Sequence, residues 1–226
     1  MASIHLQNVS VEIPVFSNHS RSIKNSLLKK FSKEKASIQS VTALHEINLN
    51  LKDGDRLGVM GPNGAGKSTL LRTIAGVYQP SIGHIHVEGS IASLIDISLG
   101  MDMEATGYEN IRMRAIMMGM KLKQIKLIEE EIADFTELGK FLELPVRTYS
   151  TGMHMRLGFA VSTTVPADII LMDEWLSVGD SDFLTKAEKR LHDYIKKSSI
   201  LVIASHSEDL ISKLTNQVIH LGHQTW

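Results

Sequence analysis

One segment of the sequence combines glycines, a lysine and a hydroxyl in the spacing G-x-x-x-x-G-K-S. It consists of Gly61, Pro62, Asn63, Gly64, Ala65, Gly66, Lys67, Ser68 and Thr69. Glycines at these positions let backbone N–H groups curve around a phosphate chain without Cβ clashes, and a helix that follows points its positive end at the same phosphates. Lys67 can neutralise the β and γ phosphates and assist catalysis, and the Ser68 hydroxyl can ligate Mg²⁺. The segment therefore predicts a phosphate-binding loop.

Two carboxylates follow the apolar run Asp168–Met172. Asp173 and Glu174 are then expected at the carboxyl end of a strand that neighbours the strand before the phosphate loop. There Asp173 would hold Mg²⁺, and Glu174 would be the general base for a water in line with the γ phosphate. Two solvated acids after a buried strand are the alternative, but the phosphate loop favours the catalytic interpretation.

A histidine occupies the corresponding place after the next apolar run, Ser199–Ser205. An imidazole at His206 could hydrogen-bond the γ phosphate and the attacking water. A histidine at a strand end is more often an ordinary surface residue. In the company of the phosphate loop and the two carboxylates, we predict a catalytic role.

The segment Tyr149-Ser150-Thr151-Gly152-Met153 precedes an apolar-faced stretch, so a helix is predicted to begin near Thr151. Ser150 and Gly152 would then offer a hydroxyl and free N–H groups to an anion. An ordinary helix N-cap explains the same residues, and from this segment alone it is the preferred interpretation.

The remaining patterns predict the elements that position these residues. The segments Ile4–Ile13 and Ala43–Leu51 alternate apolar and polar residues as half-buried strands do, and Pro14 is expected to end the first. The apolar run Arg56–Met60 is typical of a strand buried in a parallel sheet. Residues 105–147 have helical periodicity and form a helical insertion. Strands and helices alternate, so the fold class is α/β with a mostly parallel sheet.

Composition excludes several classes of function. The 24 basic and 25 acidic residues leave a formal net charge of −1, so no global charge favours nucleic acid as a partner. The absence of Cys excludes disulfides, thiolate zinc sites and a cysteine nucleophile. No apolar run approaches the roughly 20 residues that cross a bilayer. The first residues lack the features of a secretory signal, so we expect a chain that is not exported.

One segment stands apart by its charge. Residues 19–36 contain six Lys and Arg against the single acid Glu34, with an apolar stripe at helical spacing. Within the longer insert 14–40, this segment is either a solvated charged helix or a surface for anionic headgroups and the pyrophosphate of a lipid-linked glycan. The second interpretation is favoured by the resemblance that follows.

Taken in order, the phosphate loop, YSTGM at 149–153, DIILMDE at 168–174, SVGD at 177–180 and ASH at 204–206 resemble an ATP-binding cassette (ABC) subunit over essentially the whole chain. The resemblance implies a single nucleotide-binding domain, residues 1–226, with a P-loop core, a small N-terminal antiparallel β portion and a helical subdomain at 97–148. It also implies ATP and Mg²⁺ as cofactors. Two copies would enclose two nucleotides, with Ser150 and Gly152 contacting the γ phosphate bound by the partner and Asp180 at the dimer seam.

The variant signature YSTGM, the stretch DEWLSVGD and the basic insert are similar to the ATPases of bacterial O-antigen, capsule and teichoic-acid exporters. This implies ATP hydrolysis that drives an integral-membrane subunit, at the cytoplasmic face of the inner membrane, to export a lipid-linked polysaccharide. The polysaccharide is expected to contact the insert at 19–36, and nucleic acid is not expected as a partner. The alternatives are another transporter class or a soluble ABC ATPase that acts on nucleic acid.

The sequence departs from the family at two places. Most cassettes have a Gln that ligates Mg²⁺ near the position of Ile97, where this chain has none; Asp96 either takes part or is a solvated loop acid. An aromatic ring that stacks on adenine is expected near Ile13. Phe16 is the nearest candidate, and packing under the insert is the alternative for it.

Several methionines fall at helical spacing in the predicted insertion, namely Met113, Met117, Met118 and Met120. Core packing is the favoured interpretation. The same face in the family includes the groove for a helix of the membrane subunit, so Met118 lining that groove is the alternative.

Overall fold

The computed structural model describes residues 1–15, 39–95, 97, 100–174 and 181–222. Its strands are β1 (Ser3–Val15), β2 (Gln39–Lys52), β3 (Arg56–Met60), β4 (Ile82–Glu88), β5 (Ile91–Ser93), β6 (Ile169–Asp173), β7 (Ile200–Ala204) and β8 (Gln217–His220). Its helices are α1 (Lys67–Ile74), α2 (Gly107–Met117), α3 (Leu122–Thr136), α4 (Thr151–Ser162), α5 (Ser181–Lys197) and α6 (Glu208–Leu214). Two short 3₁₀ turns cover Gly139–Glu143 and Val146–Thr148.

An antiparallel sheet in the order β2-β1-β4 contains the N-terminal strand. Pro14 does not end β1, contrary to the prediction, and it pairs with Ser40 of β2. The last β1 residue paired with β4 is Ser10, so Pro14 has a neighbouring strand on one side only. A missing N–H is tolerated at such an edge.

A parallel sheet in the order β5-β6-β7-β3-β8 forms the centre of the core. Residues Ile200 to Ala204 of β7 are all buried, which is typical of a parallel strand covered on both faces. Strand β6 was predicted to neighbour β3, and this is wrong because β7 lies between them. The predicted α/β class with a mostly parallel sheet and an antiparallel N-terminal portion is confirmed.

Hydrophobic packing covers the parallel sheet on both sides. Ile170 and Met172 pack with the helices between β5 and β6, and Ile169 and Leu171 pack with α1 and the antiparallel sheet. Consecutive residues of a strand point to opposite faces, so β6 contributes to both clusters. Strand β6 is therefore packed on both faces of the sheet.

The helices α2 and α3 form a hairpin that begins with a capping box. Thr106 accepts a hydrogen bond from the Glu109 backbone N–H, and Glu109 accepts one from the backbone N–H of Thr106. Core packing was predicted for the methionines, and this is wrong for Met117 and Met118, whose exposed fractions are 80% and 38%. They lie where α2 ends and the chain turns, beyond the residues that α2 packs against its neighbours.

Candidate functional site

A pocket of about 420 Å³ lies at the carboxyl ends of the parallel strands. Its lining contains residues of the phosphate loop, of the strand ends and of β2: Val41, Thr42, Ala43, Asn63, Gly64, Gly66, Lys67, Ser68, Thr69, Ile95, Asp173, Glu174 and His206. Ligands of open α/β sheets bind at this edge. The tertiary structure thus brings together the phosphate loop, the two carboxylates and the histidine that the sequence singled out.

The phosphate loop runs from the end of β3 into α1 and depends on glycine at two tight positions. Gly66 has φ 93° and is the N-cap of α1, and a Cβ there would lie 2.3 Å from the carbonyl oxygen of Ala43. Gly61 has φ 150°, and a Cβ there would lie 2.3 Å from the carbonyl oxygen of Leu221. Only glycine fits both the backbone conformation and the space. The first turn of α1 therefore opens toward the pocket.

Lys67 is folded back onto its own loop. Its ammonium donates hydrogen bonds to the carbonyl oxygens of Gly61 at 2.7 Å and Pro62 at 3.1 Å. It also lies 3.2 Å from Nε2 of His206. Nε2 can accept from an ammonium only when it carries no proton, so this contact requires the tautomer with hydrogen on Nδ1.

Glu174 has a strained backbone at the end of β6. Its φ of 64° lies in the left-handed region, which costs a residue with a side chain on the order of 1 kcal/mol or more. Its N–H donates to the carbonyl oxygen of Ala204 at 2.8 Å, which extends the ladder between β6 and β7 by one bond. The carboxylate is exposed, and its Oε1 lies 3.7 Å from Nε2 of His206. The strain thus coincides with the predicted general base.

Two parts of the pocket wall were not predicted from the sequence. Val41, Thr42 and Ala43 at the start of β2 form one wall, and Ile95 lies beyond the end of β5. Their side chains are apolar or carry a single hydroxyl, and such residues do not mark a binding site in a sequence. Gly66 of the phosphate loop packs closely on Ala43 and Leu44 of β2, and this is a contact between distant segments of the chain.

Ser150 and Gly152 are placed at the start of α4, as predicted. Ser150 is the N-cap, and its hydroxyl accepts from the Met153 N–H at 3.3 Å. A Cβ at Gly152 would meet only Ser150 Oγ, at 3.9 Å, so the space beside it is open. Among the described residues, neither lines the pocket of its own chain.

Ile97 is turned away from the pocket and buried in the core, with 6% of its surface exposed. Its carbonyl oxygen accepts from Nη1 of Arg114 on α2 at 2.6 Å, and the same guanidinium donates to Ser162 Oγ at 3.1 Å. Burial lowers the pKa of Arg114 from its ordinary value. A Cβ at Gly158 of α4 would lie 2.7 Å from Ile97 Cγ2. Ile97 therefore contacts both α2 and α4.

Four predicted features lie partly or wholly outside the described residues. They are the adenine contact Phe16, most of the insert 14–40, Asp96 and Asp180.

Comparison with known families agrees with this arrangement. The model of the family described as "ABC transporter" matches residues 44–177, which is more than half of the chain. The chain belongs to the ABC transporter family. It is a nucleotide-binding ATPase of the ATP-binding cassette type, and the resemblance seen in the motifs is confirmed.

Two relatives within the ABC transporter family are named as ATP-binding proteins of export. The chain is 45% identical over 228 residues to the O-antigen export system ATP-binding protein RfbE of Yersinia enterocolitica, covering 99% of this chain and 95% of the relative. It is 36% identical over 220 residues to the teichoic acids export ATP-binding protein TagH of Listeria innocua, covering 97% of this chain and 64% of that relative.

Solved ABC cassettes have the same fold. The dimeric cassette MJ0796 in a post-hydrolysis state bound to ADP and Pi superimposes with a TM-score of 0.71 at 20% identity, over 96% of this chain and 94% of the other. A second dimeric MJ0796 structure gives a TM-score of 0.70 at 21% identity, over 97% and 94% of the two chains. This likeness confirms the predicted P-loop ABC fold.

No helix in the described part of the chain combines the length and the apolar character needed to cross a bilayer.

Proposed function

We propose that this chain is the ATP-hydrolysing subunit of an ABC transporter that exports a lipid-linked, O-antigen-like cell-surface polysaccharide. The single observation that carries the proposal is the 45% identity to an O-antigen export ATP-binding protein over nearly the full length of both chains. The teichoic acids export relative supports the broader class of polysaccharide export.

The phosphate loop holds ATP in this proposal. The loop from Gly61 to Thr69 surrounds the phosphates with N–H groups, and Lys67 exchanges its bonds to the loop carbonyls for the β and γ phosphates. Lys67 already lines the pocket, so a rotation of its side chain is sufficient to bring its ammonium to the phosphates. Phe16 remains the proposed adenine contact.

Mg²⁺ is the proposed metal, and the side chains present fit it. Ser68 and Asp173 line the same pocket and offer a hydroxyl and a carboxylate, the hard oxygen ligands that this ion uses together with phosphate oxygens and water. When bound, the ion neutralises charge that develops on the β and γ phosphates.

Glu174 and His206 are the proposed catalytic pair. Glu174 accepts a proton from the water that attacks the γ phosphate, and its constrained backbone fixes where the carboxylate can reach. His206 lies between Lys67 and Glu174 and can hydrogen-bond the γ phosphate from there. Both side chains are exposed to the pocket mouth in the single chain.

A second copy completes the site in this proposal. Ser150 and Gly152 are solvent-accessible at a helix N-terminus but do not line the pocket of their own chain, so they are available to a γ phosphate bound by the partner. Asp180 would lie at the seam. The dimeric cassettes that share the fold support this arrangement.

An integral-membrane subunit is the further proposed partner, which places the chain at the cytoplasmic face of the inner membrane. The cations at 19–36 are proposed to contact the lipid-linked polysaccharide. The whole chain is proposed to be one nucleotide-binding domain with its helical subdomain at 97–148, and the helices α2 and α3 support that division.

The test is glycan analysis of source cells that carry Lys67→Ala at this locus. The proposal expects lipid-linked polymer to accumulate inside while the surface polysaccharide is lost. Lys52→Ala, an exposed lysine on β2, is the matched control and should leave the surface glycan unchanged. An unchanged surface glycan in the Lys67 variant, with ATP hydrolysis abolished in the purified protein, would contradict the polysaccharide cargo.

A further inference from the structure

In the described part of the chain, Nε2 of His154 on α4 is buried without a hydrogen-bond partner. Buried polar atoms in native proteins almost always have a partner, so an exception needs an explanation. An unpaired buried nitrogen lowers the stability of the fold, and an apolar ring of similar size would avoid that loss. Stability therefore does not account for a histidine at this position.

The other ring nitrogen of His154 contacts the start of the same helix. Nδ1 lies 3.1 Å from the carbonyl oxygen of Ser150, which is four residues earlier and is the N-cap of α4. A carbonyl oxygen can only accept, so Nδ1 carries the hydrogen and donates it. The backbone N–H of His154 donates to the same oxygen at 3.0 Å. The Ser150 carbonyl is thus held by two donors from one residue.

The ring of His154 also packs beside Tyr149. The two ring centroids lie 5.7 Å apart, with the ring planes inclined at 58°. Tyr149 is itself fixed, because it is buried and its hydroxyl donates to the Phe141 carbonyl at 2.7 Å. His154 therefore contacts both residues that lead into α4, Tyr149 through its ring and Ser150 through Nδ1.

Ser150, which His154 holds, has a hydroxyl that can bind an anion. Its Oγ accepts from the Met153 N–H at 3.3 Å, and as an acceptor there it keeps its own hydrogen for another partner. A hydroxyl contributes most to binding when its position is fixed before the ligand arrives, since ordering it afterwards costs binding free energy. The bonds from His154 fix the backbone that carries this hydroxyl.

We propose that His154 is a positioning residue for Ser150, which it fixes so that the Ser150 hydroxyl meets the γ phosphate bound by a second copy. The inference rests on the proposed function, in which Ser150 acts on the nucleotide of the partner chain. It gives His154 no contact with ATP. Changes at His154 should therefore affect the closing of the two-chain site and not the binding of ATP by a single chain, whose pocket is lined by no described residue of α4.

ATP-driven dimerisation of the full chain tests the proposal. Light scattering over a range of protein concentrations, with ATP and Mg²⁺ and in the Glu174→Gln background, gives the concentration of half-maximal dimerisation. His154→Phe keeps a ring beside Tyr149 and removes Nδ1. We expect it to raise that concentration about tenfold, the effect of losing about one hydrogen bond in each copy. The Kd of a fluorescent ATP analogue, measured where the chain is monomeric, should stay within about twofold, because the phosphate loop is unchanged.

Rescue and melting temperature distinguish positioning from packing. His154→Asn places an amide N–H near the position of Nδ1 but gives up the contact with Tyr149, so we expect dimerisation to recover to within about threefold while the Tm falls. His154→Phe should have a Tm equal to or above that of the parent, because it removes the unpaired nitrogen. His84→Phe and His84→Asn, on the exposed side of β4, are the matched controls and should leave dimerisation unchanged.

The inference is overturned if His154→Phe dimerises like the parent, or if dimerisation falls in parallel with the Tm in both variants, which would show that His154 only packs. It is also overturned if monomeric His154→Phe binds the ATP analogue much more weakly, since the effect would then lie in the pocket of its own chain. If the Glu174→Gln chain with His154 intact forms no dimer, the two-chain site of the proposed function fails together with this inference. A dimer that is indifferent to His154 leaves the proposed function intact.

Discussion

The ammonium of Lys67 and Nε2 of His206 lie 3.2 Å apart, although Lys67 begins helix α1 and His206 follows strand β7. The same ammonium is bonded to the Gly61 carbonyl. The cation predicted to bind phosphate is thus held by loop carbonyls and by the predicted γ-phosphate sensor. A bound γ phosphate would compete with the loop carbonyls and with Nε2 of His206 for the Lys67 ammonium, because it accepts hydrogen bonds from the lysine.

His206→Ala is predicted to slow ATP hydrolysis by about 10²–10³, the effect of removing one preorganised donor to a developing charge. ATP binding should remain within a few-fold of the wild type, because the phosphate loop and Lys67 are unchanged in this variant. Phosphate release and binding of a fluorescent ATP analogue check this. His84→Ala, on the exposed side of β4, is the matched control. Equal fold losses of ATP binding and of hydrolysis would show that His206 stabilises bound ATP and not the transition state.

Glu174→Gln is predicted to trap an ATP-bound dimer. Glutamine keeps the size of the side chain but cannot accept the proton from water, so the loss of hydrolysis should be about 10²–10⁴. Light scattering after size-exclusion chromatography with ATP and Mg²⁺ measures the mass. Asp209→Asn, an exposed acid on α6, should remain as the wild type. A Glu174→Gln chain that stays monomeric at saturating ATP would contradict the two-chain site.

Gly152→Ala separates function from stability. The new Cβ meets only Ser150 Oγ at 3.9 Å, and alanine favours a helix over glycine by up to about 1 kcal/mol. We therefore expect an unchanged or higher Tm together with a loss of ATP hydrolysis, because the added methyl group would face the nucleotide of the partner chain. Unchanged hydrolysis would contradict the role in trans.

Gly158→Ala is expected to lower the stability of the fold. Its Cβ would lie 2.7 Å from Ile97 Cγ2 and 2.9 Å from the Ile97 carbonyl oxygen, so α4 or the segment at Ile97 must shift. Overpacking of this kind costs about 1–3 kcal/mol. Urea unfolding measures the loss, and Gly152→Ala serves as the matched control on the same helix. A free energy of unfolding equal to that of the wild type would show that Ile97 moves without cost.

Arg114→Met is predicted to lower the free energy of unfolding by about 1–3 kcal/mol, since it leaves the Ile97 carbonyl and the Ser162 hydroxyl without their donor. Hydrolysis should fall with it, because Ile97 follows Ile95 of the pocket wall by two positions. Arg147→Met, an arginine with an exposed ion pair to Glu104, is the control and should change stability little. Equal effects of the two variants would contradict the special role of Arg114.

Alkaline pH is predicted to destabilise the protein through Tyr149. Burial raises the pKa of Tyr149 from 10.0 to about 12, and its hydroxyl donates to the Phe141 carbonyl at 2.7 Å. A raised folded-state pKa means that the stabilisation is complete below the unfolded value of 10.0 and is lost as pH rises toward 12. Melting curves from pH 8 to 11.5 measure this. Tyr149→Phe should flatten the slope by about half, because Tyr194 has a similarly raised pKa of about 12. An unaltered slope would contradict the assignment.

The local sequence was sufficient to predict the candidate site residues and the strands and helices that carry them. The phosphate loop, Asp173 and His206 each follow an apolar run, and a strand followed by a polar residue is a signal within a few residues of chain. The N-cap at Ser150 and the start of α4 were predictable for the same reason, because capping involves only neighbouring backbone groups.

Methionine exposure shows where such patterns fail. Met113, Met117 and Met118 share helical spacing, but spacing alone cannot say how far along a helix its partners extend. The last turn of helix α2 extends beyond the elements that it packs against, so Met117 is exposed although Ala115 is buried.

The sequence by itself determined the class of fold and the family, and it singled out residues that line one pocket. Only the tertiary structure decided that β7 lies between β3 and β6, that Ala43 packs on Gly66, and that Lys67 contacts His206. The physical reason is that strand order and side-chain packing join residues far apart in the chain, and hydrogen bonds between strands look the same for every pair of apolar segments. Strand order and side-chain contacts are set by how the side chains of distant segments pack together in the core. The spacing of residues within one segment carries no information about that packing.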